Sequence, residues 1–190
     1  MKFNRTTISL VILALGLTGF VYFSEIKNQG LDISSKIEEK EDKKENIFSF
    51  DSKDIKGIVI EVNNQKISFE KTDKDIWEMI QPEKLTASDA AISFLVNLFN
   101  QAENKIQIPL TEEKRQEYGL VQSSYKIQWR LKNDEQYQMI LGKPNFDDTQ
   151  IYAEVKFPDS VKTKQNIFLV SKSFQYAIER DFNEWKAVDK

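Results

Sequence analysis

Three patterns of hydrophobic positions follow one another along this chain. Ile8 to Phe23 is an unbroken apolar run with no charged residue, and Lys2 and Arg5 precede it. Residues 24–47, read from "SEIKNQGLDISSKIEEKEDKKEN", are charge-dense and carry almost no large apolar side chain after Ile37. From Phe48 onward, short alternating runs are separated by turn residues and by two stretches of helical spacing. These patterns predict a membrane-spanning helix in 1–23, a flexible spacer in 24–47 and a folded domain in 48–190.

Within the domain, Ile55 to Val62 reads as a strand, and Asn63-Asn64 suits a tight turn because Asn tolerates positive φ. "QKISFEK" returns, with Ile67 and Phe69 on one face, and "IWEMI" adds a third strand ending before Pro82. Thr86, with Asp89 three residues on, predicts a helix start, and the helix is expected from Ala87 to Gln101. Its apolar stripe is Ala90, Ala91, Phe94, Leu95, Leu98, Phe99 and Ala102, expected to pack on the domain's own sheet. "KIQIPL" is a short strand, and Thr111 to Leu120 a short helix closed by Gly119 in the left-handed conformation, with Leu120 folding back. The strand "YKIQWRL" places Tyr125, Ile127, Trp129 and Leu131 on one face, and "QYQMIL" returns after a turn at Asn133 to Glu135. Gly142, Pro144 and Asn145 mark a loop, "QIYAEVKF" and "NIFLVS" are two more strands, and Phe174, Ala177, Ile178 and Phe182 define a terminal helix, with Trp185 just beyond it as a core plug.

The resulting fold class is α+β: antiparallel β-sheets with packed helices, arranged as two pseudo-repeated halves and preceded by one N-terminal transmembrane helix. The anchor-forming residues are Ile8, Leu10, Val11, Ile12, Leu13, Leu15, Leu17, Phe20, Val21, Tyr22 and Phe23. A cleaved signal peptide needs small residues just after the run. Here the run ends in Phe20, Val21, Tyr22 and Phe23, which favours a retained anchor, and no Cys is present to take a lipid. With Thr6, Thr7 and Ser24 the segment has about 19 residues, roughly 28 Å of helix, close to a bilayer's hydrocarbon thickness. The basic N-terminal flank predicts a cytoplasmic N-terminus and a periplasmic or lumenal domain, at the plasma membrane or a thylakoid membrane.

Composition narrows the chemistry. The net charge of −3 offers no basic excess for nucleic acid. The chain has neither Cys nor His, which removes thiolate and imidazole ligands, the thiol nucleophile and the commonest general base. Asp147 and Asp148, with Glu154 nearby, are the best carboxylate group, yet their spacing is that of a solvated loop rather than a calcium loop. Lys172 lies between Ser171 and Ser173, but adjacent strand residues point to opposite sides. Trp77, Trp129, Tyr125, Tyr137 and Tyr152 read as core or half-buried sheet residues rather than a stacking platform. No catalytic, cofactor or metal residue is expected, and the chain is read as not an enzyme.

Several segments then occur in one order: "GIVIEVNNQKISFEK", Trp77, "QPEKLTASDAAISFLVNL", "EYGL" at Glu117 to Leu120, "LGKPNFDDTQIYAEV" and "IFLVSKSFQYAIERDFNEWK". Together these resemble the DUF4340 domain, in its cyanobacterial-type single-domain members with an N-terminal anchor, over Phe48 to Lys186. In that family the Tyr-Gly-Leu turn is usually followed by Pro; here Val121, Gln122, Ser123 and Ser124 follow. The resemblance implies an envelope-associated role, in some relatives beside ABC transporters, and no catalytic set. The expected function is a membrane-anchored, non-enzymatic protein-interaction domain, an accessory or assembly subunit of a membrane complex. A ligand-binding accessory domain of an ABC-type transporter is the alternative. The expected partners are membrane lipid, through the N-terminal helix, and a membrane protein complex. The expected contact residues are Tyr118, Gly119, Leu120, Lys143, Pro144, Asn145, Phe146, Asp147 and Asp148.

Overall fold

A computed structural model describes residues 45–161 and 165–188. The anchor expected over residues 1–23 and most of the expected spacer lie outside the described residues, among which no helix is long and apolar enough to cross a membrane. The described residues fall in one compact unit. Their buried hydrophobic core runs from Ile47 to Trp185.

The alternating runs form one antiparallel sheet rather than several. Its strands are β1 (Ile55–Val62), β2 (Gln65–Lys71), β3 (Trp77–Gln81), β4 (Leu85–Thr86), β5 (Gln107–Pro109), β6 (Tyr125–Leu131), β7 (Gln136–Pro144), β8 (Gln150–Lys156) and β9 (Asn166–Ser171). They lie in the order β4-β3-β2-β1-β6-β7-β8-β9-β5. The helices are α1 (Asp89–Asn100), α2 (Glu112–Glu117) and α3 (Ser173–Ile178), with 3-10 turns at Ser52–Asp54 and Phe182–Trp185. Asn63 and Asn64 take positive φ, 49° and 67°, as the tight β1–β2 turn requires. A four-strand meander followed by a helix occurs twice, as β1–β4 with α1 and β6–β9 with α3, and β1 and β6 pair at the middle.

Register puts the main core on one face. Phe69 opposes Ile58, Ile58 opposes Trp129, and Trp129 opposes Tyr137, so the same side of four strands is apolar. α1 covers this face, and Phe99 lies 4.3 Å from Trp129, ring centroid to centroid. Trp129 stacks on Tyr137 at 5.3 Å, and Phe48 meets Trp129 edge-on at 5.2 Å. Large side chains fully buried in this way are worth about 1.5–3 kcal/mol each. Trp185 is also wholly buried, against Phe69 at 5.1 Å, as its position past the last helix suggested.

Three boundaries differ from the sequence reading. The cap of α1 is Ser88, whose hydroxyl accepts from the Ala91 amide, and not Thr86. Thr86 is in β4 opposite Glu78, and the amides of Ala87 and Ser88 donate to the carbonyls of Trp77 and Trp185. These bonds hold the backbone extended until Ser88. The buried stripe of α1 is therefore rotated: Ile92 is inside, while Ala90 is exposed and Phe94 is 42% exposed. Phe94 is covered in part by the Arg180 guanidinium, 5.3 Å from its ring. The terminal helix stops at Ile178, because Asp181 starts a new capped turn with Glu184, and Phe182 belongs to that turn. Finally, Glu45 to Ile47, assigned to the spacer in the sequence, lie against the body through Ile47 N–H to Ala102 O and Asn104 N–H to Glu45 O, both 2.7 Å.

Tyr125 opens β6, and its hydroxyl donates to the Glu179 carboxylate at the end of α3. That bond, then burial and the Glu179 charge, holds the phenol above its ordinary pKa. The contribution is complete below the ordinary tyrosine pKa of about 10 and is lost as pH rises through the raised value. Burial also raises the Tyr137 phenol, so an absorbance titration is expected to show late-ionising tyrosines and to lose one of them in Tyr125→Phe; an unchanged titration curve would contradict the assignment.

Candidate functional site

The opposite face of the sheet carries α2 at one end. α2 crosses it there, tied down by Arg115 Nε to Glu154 Oε2 at 2.8 Å. This bond raises the Arg115 pKa, as the largest of its causes, and identifies Glu154 as a structural partner. Tyr118 stacks on Tyr152 of β8 at 3.9 Å and 17°. Leu120 is 2% exposed, and Gly119 takes φ +71°, as expected for a left-handed helix end.

Two of the segments expected to bind a partner meet here. The Lys143 amide donates to Tyr118 O at 2.8 Å, and Lys143 Nζ donates to Glu117 O at 2.9 Å. Gly142 passes so close that a Cβ on it would lie 2.2 Å from Tyr118 O. Tyr118, Gly119 and Leu120 are thus spent on packing: they support the β7–β8 hairpin from below. The expected loop at Gly142 and Pro144 is strand instead, since β7 continues to Pro144, opposite Ile151, after a bulge.

Only residues 145–149 form the hairpin loop. The Asn145 amide donates to Gln150 O at 2.8 Å, and the Gln150 amide donates to Asn145 Oδ1 at 3.0 Å. Asp147 Oδ1 accepts from the Thr149 hydroxyl and amide, which hold its carboxyl below the usual carboxylate range. Asp148, at φ +61°, reaches Lys172 Nζ. Lys172 in turn lies 5.5 Å from the ring of Tyr176, which is 58% exposed. At the tip of this braced loop Phe146 is fully exposed. Lys172, Tyr176, Tyr152 and Arg115 were not expected site residues; their roles depend on contacts between remote segments.

Among the described residues no group of three or more His, Cys, Asp or Glu could hold a metal. Lys172 is paired with Asp148, while Ser171 Oγ accepts from the Ser173 amide at 3.2 Å. Trp77, Trp129 and Tyr137 are in the core, and Tyr125 and Tyr152 are half-buried. Gln101, Ala102, Glu103 and Lys105 share a shallow groove with Thr149, Gln150, Ser171 and Ser173, and Ala102 O accepts from the Ile47 amide.

A second concavity opens elsewhere, on the core side of β1 and β2. It is a cleft of about 810 Å³ between these strands and the chain from Ile178 to Phe182. Neither a family model, nor a curated protein, nor a solved structure matches this chain.

Proposed function

We propose that this chain is a membrane-anchored, non-enzymatic domain that docks on a protein of the same membrane through the β7–β8 hairpin, as an accessory or assembly subunit. The observation that carries the reading is Phe146, a large aromatic fully exposed on a loop braced from both sides. A rigid exposed aromatic loses little entropy on binding, and such residues dominate interface energies. The anchor expected in 8–23 favours a partner of the same membrane. The DUF4340 resemblance and the location outside the cytoplasm belong to the same proposal. So does the reading of the two halves as repeats of one unit, supported by their matching element order about the β1–β6 pair.

The test is affinity capture of the tagged full chain from gently solubilised membranes, with Phe146→Ala beside the unaltered protein. Phe146 touches no core group, so the melting curve is expected to stay in place. Capture of the complex is expected to weaken by about 2 kcal/mol or more, some thirty-fold. Recovery of the same complex by the variant would remove the hairpin from the interface. The second reading, a ligand-binding accessory domain of an ABC-type transporter, is favoured by the cleft beside β1 and β2.

A further inference from the structure

The cleft has an apolar floor and one unusual polar group. Ile60, Val62 and Ile67 form the floor, and Ile178 and Phe182 the wall. Arg180 lies at the rim, its guanidinium 5.3 Å from the Phe94 ring and 6.0 Å from the Trp185 ring. Its Nε is buried and has no hydrogen-bond partner among the described residues. A buried charged donor without an acceptor is costly, and native folds rarely leave one without a reason.

The neighbouring acids do not supply that acceptor. Glu179 is engaged by the Tyr125 hydroxyl and by Gln175 Nε2 at 2.8 Å. Asp181 caps the 3-10 turn. Glu184 takes the Asp181 amide with one oxygen and reaches Arg180 Nη1 with the other only at 3.4 Å. The guanidinium is therefore weakly paired.

We infer that this cleft binds an apolar chain ending in a carboxylate, the chain lying on Ile60, Val62 and Ile67 and the carboxylate taken by Arg180. A guanidinium edge offers two parallel N–H donors, which fit a carboxylate and no neutral head group equally well. To offer both donors, the guanidinium must turn from its long Glu184 contact and uncover the buried Nε–H beside an Nη–H. The inference goes beyond the docking reading and is independent of the hairpin, so either can fail alone.

The test uses residues 45–190, which hold the buried core. Decanoate and decanol are titrated into it below their self-association limits and followed by methyl NMR. Decanoate is expected to shift the methyls of Val62, Ile67 and Ile178, and to bind about 10–100-fold more tightly than decanol, as a charge-assisted pair provides. Arg180→Gln is expected to erase that preference, and Ile67→Trp, which leaves Arg180 in place, to block both ligands. Equal affinities for decanoate and decanol, or shifts confined to other methyls, would overturn the inference in the unaltered protein, whatever the variants do. Trileucine with a free C-terminus separates two sources of the same chemistry. Displacement of decanoate by it and not by its amide points to a peptide end; no displacement by either points to a fatty chain. Both uphold the carboxylate.

Discussion

Trp129→Ala is expected to destabilise the domain by about 3–5 kcal/mol, the range for removing a large aromatic from a closed core. Trp129 is 2% exposed, and Phe48, Phe50, Phe99 and Tyr137 all touch its ring. These neighbours come from the chain's entry segment, α1 and β7, so the vacated volume has walls on three independent elements and cannot collapse from one side. Trp129→Phe should cost far less, because the indole Nε1 is buried without a partner and its loss breaks no hydrogen bond. Chemical denaturation of the two variants checks the pair. Equal losses for Ala and Phe would mean that the indole itself, rather than the filled volume, matters.

Gly142→Val is expected to act at the base of the hairpin. An added Cβ would meet Tyr118 O at 2.2 Å and Leu120 Cδ2 at 3.0 Å. The first of these atoms is backbone, so no rotamer change relieves the contact. The strand or the α2 turn must move, at a cost of about 1–3 kcal/mol or more for overpacking of this kind. The loss should be local in origin: amide exchange is expected to quicken first at Lys143, whose N–H is bonded to Tyr118 O, and at Leu120, bonded to Arg115 O. Phe146 would then lose its rigid base, and capture of a partner should fall without any change at the tip. Uniform acceleration of exchange across the sheet would instead mark Gly142 as a global core position.

The strands were legible because their alternation is strict: Tyr125, Ile127, Trp129 and Leu131 face the core side in register, as their spacing required. The start of α1 was not legible. Thr86 is a good cap by itself, but the carbonyls of Trp77 and Trp185 bind the two residues after it and delay the helix to Asp89. No local signal reports those distant acceptors. The contact residues divide in the same way. The exposure of Phe146 between turn formers was readable, whereas the half-burial of Tyr118 and the burial of Leu120 depend on Tyr152 and Gly142, far along the chain. The cleft could not be read at all. Arg180 sits between Glu179 and Asp181 and looks like one more residue of a solvated face, until β1 and β2 bring an apolar floor beside it.

The ends of the sheet carry a different consequence. A nine-stranded antiparallel array has two outer strands whose free amides and carbonyls could recruit another copy. Here one border is β4, two residues long, and the other is β5, three residues ending in Pro109, which has no amide hydrogen to donate. Neither offers a ladder long enough to template a new strand. The wide sheet is thereby protected from edge-to-edge polymerisation, and copies of this domain can be crowded together without stacking into fibres.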